Sequence, residues 1–178
     1  MKAERIRAKY DTINYSNMLE KQSERARKYY LTISDGQIVH SENGQKEYYS
    51  AVEGTLEKIY KLERTFNGET VLYWYVDIRG DEGELYSVSL PFKSGTFKSI
   101  VLALASEPAI ALTKIKIEPY KKDEFTKVVV SSNGRKLDWI IKELPAVEII
   151  TIAGQPVKDD TKRMEYIESL VRLINSRL

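Results

Sequence analysis

Two clusters of side chains in this 178-residue chain have the types and spacing to hold a polyanion that also carries flat rings. In the segment Val71 to Arg79, Leu72, Trp74, Val76 and Ile78 alternate with Val71, Tyr73, Tyr75, Asp77 and Arg79. If the first set fills a core, Tyr73 and Tyr75 stand on the outer face with Arg79 beyond them. In Thr113 to Tyr120, Ile115 and Ile117 point inward while Lys114, Lys116 and Tyr120 point outward, and Lys121 and Lys122 follow in a loop. Aromatic rings stack bases whatever the sequence, for about 1–3 kcal/mol per base, and ammonium groups that neutralise phosphates release counterions. Those three rings and four lysines are enough to predict non-specific binding of an unpaired strand. The same residues also suit a structural role, because tyrosine favours strands and lysine on an edge strand deters aggregation.

Other chemistries lack a constellation. His40 is the only histidine and there is no cysteine, which excludes disulfides, thiolate metal sites and multi-histidine metal clusters. Ser34, Asp35 and His40 could be drawn as a triad, but they fall on a short hairpin with no oxyanion hole in view. Asp77, Asp81, Glu82 and Glu84 lack the alternating ligands of a calcium loop and read as a solvated turn. Neither glycine-rich phosphate motif is present. No enzymatic activity, cofactor or metal is expected.

Composition sets the frame. A hydrophobic share of 42%, a charged share of 30% and only nine Gly and five Pro describe a globular chain of one domain with appendages. No apolar run could span a bilayer and no signal-peptide core follows the charged start, so a cytoplasmic protein without membrane partners is expected. Tyrosine is over-used, with 12 against four Phe and two Trp, giving the aromatic content polar handles. Residues 1–28 carry eight basic and four acidic side chains and read as a basic arm, helical or disordered, whereas residues 51–144 are balanced in charge.

The elements that must position the two clusters follow from periodicity. Tyr29 to Ser41 reads as a hairpin around Asp35-Gly36, and Ser41 to Glu47 as a loop. Ala51 to Phe66 reads as one long strand, bent or bulged at Gly54 and where its apolar alternation shifts between Leu56 and Ile59. Strands 71–79 and 84–90 follow, then a short helix capped near Ser94, with Phe97, Ile100, Val101 and Leu104 at helical spacing. Strands 113–120 and 125–131 come next, with 135–140 across Asn133-Gly134 as a hairpin partner. Val147 to Ile152 reads as a further strand and Gly154 to Lys158 as a linker. Asp159 to Arg177 is an amphipathic helix with Met164, Ile167, Leu170, Val171 and Ile174 in one stripe. Trp74 and Trp139 are read as core residues. The class is mainly β, a β-rich α+β protein with a basic arm (1–28), a β domain (29–152) and a linker plus helix (153–178).

From 51 to 131 the order is long bent strand, strand, strand, short helix, strand, strand. That order, the glycine in the first strand and the helix position resemble an OB-fold single-stranded-DNA-binding protein of phage or bacterial type. The resemblance implies a five-stranded Greek-key barrel, here with an extra N-terminal hairpin and a C-terminal helix. It also implies a non-enzymatic role in DNA replication or recombination, with single-stranded DNA as ligand and RNA as the alternative. Other replication or recombination proteins, and further copies of the chain in a homo-oligomer, would be partners, and for a phage protein the location would be the host cytoplasm. Bacterial housekeeping members end in a disordered acidic tail, which the amphipathic helix replaces here. The alternative is a structural or protein-interaction module that oligomerises through that helix.

Overall fold

The computed structural model describes residues 27–178, so the basic arm lies outside the described residues except for Arg27 and Lys28. Eleven strands form: β1 (Lys28–Ser34), β2 (Gln37–Glu42), β3 (Gln45–Tyr49), β4 (Val52–Phe66), β5 (Glu69–Arg79), β6 (Leu85–Pro91), β7 (Lys114–Lys122), β8 (Phe125–Ser132), β9 (Arg135–Lys136), β10 (Glu148–Ile152) and β11 (Gln155–Asp159). Two α-helices, α1 (Gly95–Leu104) and α2 (Thr161–Asn175), and a 3₁₀ turn at Ile110–Leu112 complete the described chain.

Nine strands make one mixed sheet in the order β3-β2-β1-β6-β5-β4-β7-β8-β9. Within it β7-β4-β5-β6 is a Greek key, since three hairpin-linked strands are followed by a fourth that returns beside the first. All pairings are antiparallel except β1 with β6. The sheet curls until the β1–β2 turn touches the β7–β8 hairpin, where the Gly36 amide donates to Thr126 Oγ1 at 3.2 Å. Gly36 has φ +76°, and a Cβ there would lie 2.4 Å from the Lys121 nitrogen, so this approach needs glycine. No strand ladder joins these ends among the described residues, and the sheet is not a closed barrel.

The bend in β4 has a local cause. Register shifts by one residue between Leu56 and Lys58, a bulge that puts Leu56 and Ile59 on the same core-facing side. Past Thr55, β4 is no longer paired with β7. There α2 takes over: Asn175 Oδ1 accepts from the Ile59 amide at 2.9 Å and its Nδ2 donates to the Ile59 carbonyl at 2.7 Å. Asn175→Ala strips both partners from one residue, and unfolding titration should show a loss of about 1–3 kcal/mol. An unchanged midpoint would mean that water replaces the side chain at no cost.

Both helices cover the same face of the sheet. Ser94 caps α1, its Oγ accepting from the Phe97 amide at 3.2 Å, and Phe97 stacks on Trp74 with centroids 4.7 Å apart. Ile167, Leu170, Val171 and Ile174 of α2 join Leu56, Ile59, Val76, Ile100, Val101 and Ile117 in one core. The stripe of α2 is therefore spent within the chain, packed into the same core as the sheet. Among the described residues, the helices leave the opposite sheet face to side chains alone.

Four readings change. Residues 41–47 are not a loop, because Asn43-Gly44 makes a tight turn into β3. Gly154 to Lys158 is not a linker, since Gly154 lies in the tight turn between β10 and β11 and Gln155 to Lys158 belong to β11, which pairs with β10 in a separate two-stranded ribbon. Past Lys136 the partner of β8 leaves the ladder, and Trp139 is 50% exposed where a core residue was expected. Asp77 lies in no solvated turn: it is buried within the sheet.

Candidate nucleic-acid interface

The helix-free face is built by β1, β6, β5 and β4, whose register sets Tyr73 opposite Leu62, Tyr75 opposite Tyr60 and Asp77 opposite Lys58. Across β6 the same face continues through Ser89 and Ser87 to Thr32 and Tyr30. Serines are short, so Lys28 can reach over them: its Nζ lies 3.5 Å from Asp77 Oδ2 and donates to Tyr60 Oη at 3.3 Å. Ser87 Oγ donates to Asp77 Oδ1 at 2.5 Å. Burial pulls the Lys28 pKa down, but the Tyr60 hydrogen bond and the Asp77 charge outweigh it and leave the ammonium above its ordinary value.

On this base stands a ladder of rings and cations. Tyr60 and Tyr75 stack with centroids 5.2 Å apart at 13°. The Arg64 guanidinium lies 5.0 Å from the centroids of both Tyr73 and Tyr75, and Lys58 Nζ lies 4.6 Å from that of Tyr60. Neither Lys58 nor Arg64 has a carboxylate within ion-pair distance among the described residues. Tyr30 is exposed beside Lys28, and Leu62 and Phe66 are exposed toward the β4–β5 turn.

The residues singled out by sequence separate into three groups. Tyr73 and Tyr75 join the ladder just described, but Tyr75 is only 3% exposed and does not face water as expected; Tyr60 stacks on it and Arg64 lies over it. Arg79 and Lys114 both flank Thr55, about 10 Å apart across β4. Arg79 grips Glu57 with both ends of its fork, and Lys114 donates to Asp81 at 2.6 Å. Lys116 sits beside Glu53 on the β4 ladder and pairs with Glu118 at 2.8 Å. Tyr120, Lys121 and Lys122 lie at the far end of β7, where Lys121 reaches Asp35 at 3.4 Å. Lys114, Lys116 and Lys121 thus already hold carboxylates, whereas the cations sequence reasoning missed, Lys58 and Arg64, do not.

The missed residues had a signal. The alternation shift after Leu56 moves Tyr60, Leu62 and Arg64 onto the face opposite Ile59, which is the face of Tyr75. No described helix is long and apolar enough to cross a membrane, and no described group of three His, Asp or Glu could hold a metal ion. No family model matches the chain, and neither curated proteins nor solved structures give a match.

Proposed function

We infer that this chain binds single-stranded nucleic acid, DNA by preference, without enzymatic activity, through the face of Tyr30, Lys28, Lys58, Tyr60, Arg64 and Tyr73. One observation carries the reading: Arg64 and Lys58 lie over tyrosine rings and hold no carboxylate among the described residues. Such an array offers cations to phosphates and rings to bases, with no set of donors fixed for one base. The Greek key with a helix between its third and fourth strands supports an OB-like ancestry, in which the second and third strands form the ligand face. Here those strands are β5 and β6, with β1 added beside β6. A protein module oligomerising through α2 fits less well, because the apolar stripe of α2 is buried on its own sheet.

Titration of labelled oligo-dT, oligo-U and a duplex of equal length at two salt concentrations tests this. Oligo-dT should bind more tightly than the duplex, with affinity falling steeply as salt rises. Replacing Lys58 and Arg64 together by Ala should reduce the slope of log affinity against log salt by about 1.4, from two lost phosphate contacts at about 0.7 each. Tyr73→Ala should weaken binding by about 1–3 kcal/mol with little change in that slope. Equal, feeble affinity for all three ligands rejects the reading, and tighter oligo-U binding makes RNA the ligand.

A further inference from the structure

The hairpin of β4 and β5 runs past the rest of the sheet. Strand β4 pairs with β7 only as far as Thr55, and β5 pairs with β6 only from Tyr73 onward. The last rungs, Arg64 with Val71, Thr65 with Thr70 and Phe66 with Glu69, therefore have no further strand on either side among the described residues. Every residue from Lys61 to Val71 is exposed. The register is unbroken from Lys58 opposite Asp77 to Phe66 opposite Glu69, so alternation puts Leu62, Arg64, Phe66, Val71 and Glu69 on the face of Tyr60 and Tyr73. The exposed large apolar side chains of this ribbon, Leu62, Val71 and Phe66, thus all share the ladder face. The reverse carries Lys61, Glu63, Thr65 and Thr70 around a half-buried Leu72.

Charge on that face changes along its length. Lys28 and Lys58 lie at the base beside Tyr60, and Arg64 lies over Tyr73 and Tyr75. Beyond Arg64 the ribbon has no cation on this face, and Val71, Phe66 and finally Glu69 follow. A strand laid along the ladder runs out of phosphate partners at Arg64, just short of the Phe66 ring, which is 73% exposed. The last rung offers a flat apolar ring and a carboxylate that repels phosphate. Another unpaired nucleotide would need a cation there. The end of a duplex would not, because its last base pair presents an apolar face with both backbones at its margins. Apolar side chains set against base steps are a known means of parting stacked bases, at a cost of a few kcal/mol per step.

We propose that the tip of the β4–β5 hairpin meets a duplex where it passes into a single strand. Phe66 stacks on the last base pair with Leu62 and Val71 beside it, and the unpaired strand runs from there along Arg64, Tyr73 and Tyr60 toward Lys28. This rests on the single-strand reading of the ladder face and narrows its ligand to the junction of unpaired and paired strands. The probes are a labelled dT strand, duplexes carrying that strand as a tail at the 3′ or the 5′ end, and the duplex without a tail, each titrated with the full chain. One tailed duplex should bind about fivefold or more tightly than the dT strand alone, the gain of one stacked ring. Phe66→Ala should remove that preference while leaving dT affinity within about twofold, and Phe66→Tyr, which keeps the ring, should retain it. An aminopurine in the last base pair should change its fluorescence with the parent chain but not with Phe66→Ala. Absence of dT binding defeats the single-strand reading and the junction with it. If the dT strand binds and neither tailed duplex binds more tightly, the junction alone is overturned, as it is by a preference that survives Phe66→Ala. Self-association in sedimentation that Phe66→Ala abolishes would give the tip to a second copy of the chain and overturns the proposal too.

Discussion

Lys28→Met should lower the free energy of unfolding by about 3 kcal/mol. Asp77 is 1% exposed, and its Oδ2 has only the Lys28 ammonium nearby among the described residues. A buried ion pair adds little net stability when both partners are present, but removing one leaves an uncompensated charge, at a cost of about 3–5 kcal/mol. The lower end applies here because Ser87 and Tyr60 still donate to Asp77 Oδ1. For a chain of this size that corresponds to a fall in Tm of roughly 6–12 °C by calorimetry. Adding Asp77→Asn to Lys28→Met removes the stranded charge and should recover more than half of the loss. A Lys28→Met protein within about 0.5 kcal/mol of the parent would mean that water reaches Asp77, and the pair could not then be the anchor of the tyrosine face.

Gly54→Ala is expected to be more damaging still, at about 4 kcal/mol or more, a large part of the roughly 5–15 kcal/mol by which a native domain is stable. A Cβ at this position would lie 2.2 Å from the Arg79 carbonyl oxygen and 2.9 Å from Ile78 Cγ2. Neither is the free end of a flexible side chain, so β4 and β5 would have to separate at the rung before the bulge. Because β4 is also paired with β7 there, through Gly54 and Ile115, the strain spreads to a second ladder. Gly95→Ala is the control: it adds the same methyl where nothing lies within 4 Å, on the first turn of α1, and should change stability by no more than about 0.5 kcal/mol. Comparable losses for the two variants, read by denaturant titration, would rule out close packing of strands as the reason for glycine at 54.

The strands and their turns were legible where period and turn chemistry agreed. Asn67-Gly68 and the alternation of Val71 to Arg79 gave the β4–β5 hairpin, and Ser94 with the helical spacing of Phe97, Ile100 and Leu104 gave α1. The bend of β4 could be read from Gly54 and the alternation shift, because a bulge displaces every later side chain to the other face. Strand β3 was not legible: all five of its residues are exposed, so it shows no buried face to the periodicity. Strand β10 was read from Val147 to Ile152, but its partner β11 was hidden for the same reason as β3, with four of its five residues exposed.

At the candidate interface, alternation separated Tyr73 and Tyr75 from the core-facing side chains of β5, but alternation says nothing about what lies on their face. Tyr60 comes from a strand nominated for its core residues, and it covers Tyr75. The lysines of β7 were visible as charges, while their carboxylate partners come from elsewhere: Asp81 from the β5–β6 turn and Asp35 from the β1–β2 turn. Pairing across the fold decides which cations remain available, and local sequence does not record it.

The join between β1 and β6 bears on how the chain acquires its structure. Leu31 lies beside Val88, and Ile59 is held by Asn175, 116 residues further along. Contacts of such long sequence separation place the protein among high-contact-order chains, which fold in milliseconds to seconds rather than microseconds. During synthesis the first hairpin has no sheet to join until β6 has been made, and Ile59 awaits the hydrogen bonds that only Asn175 of the last helix supplies. A nascent chain halted at Gly154 would therefore display its apolar sheet face, and chaperone dependence should be concentrated in that interval.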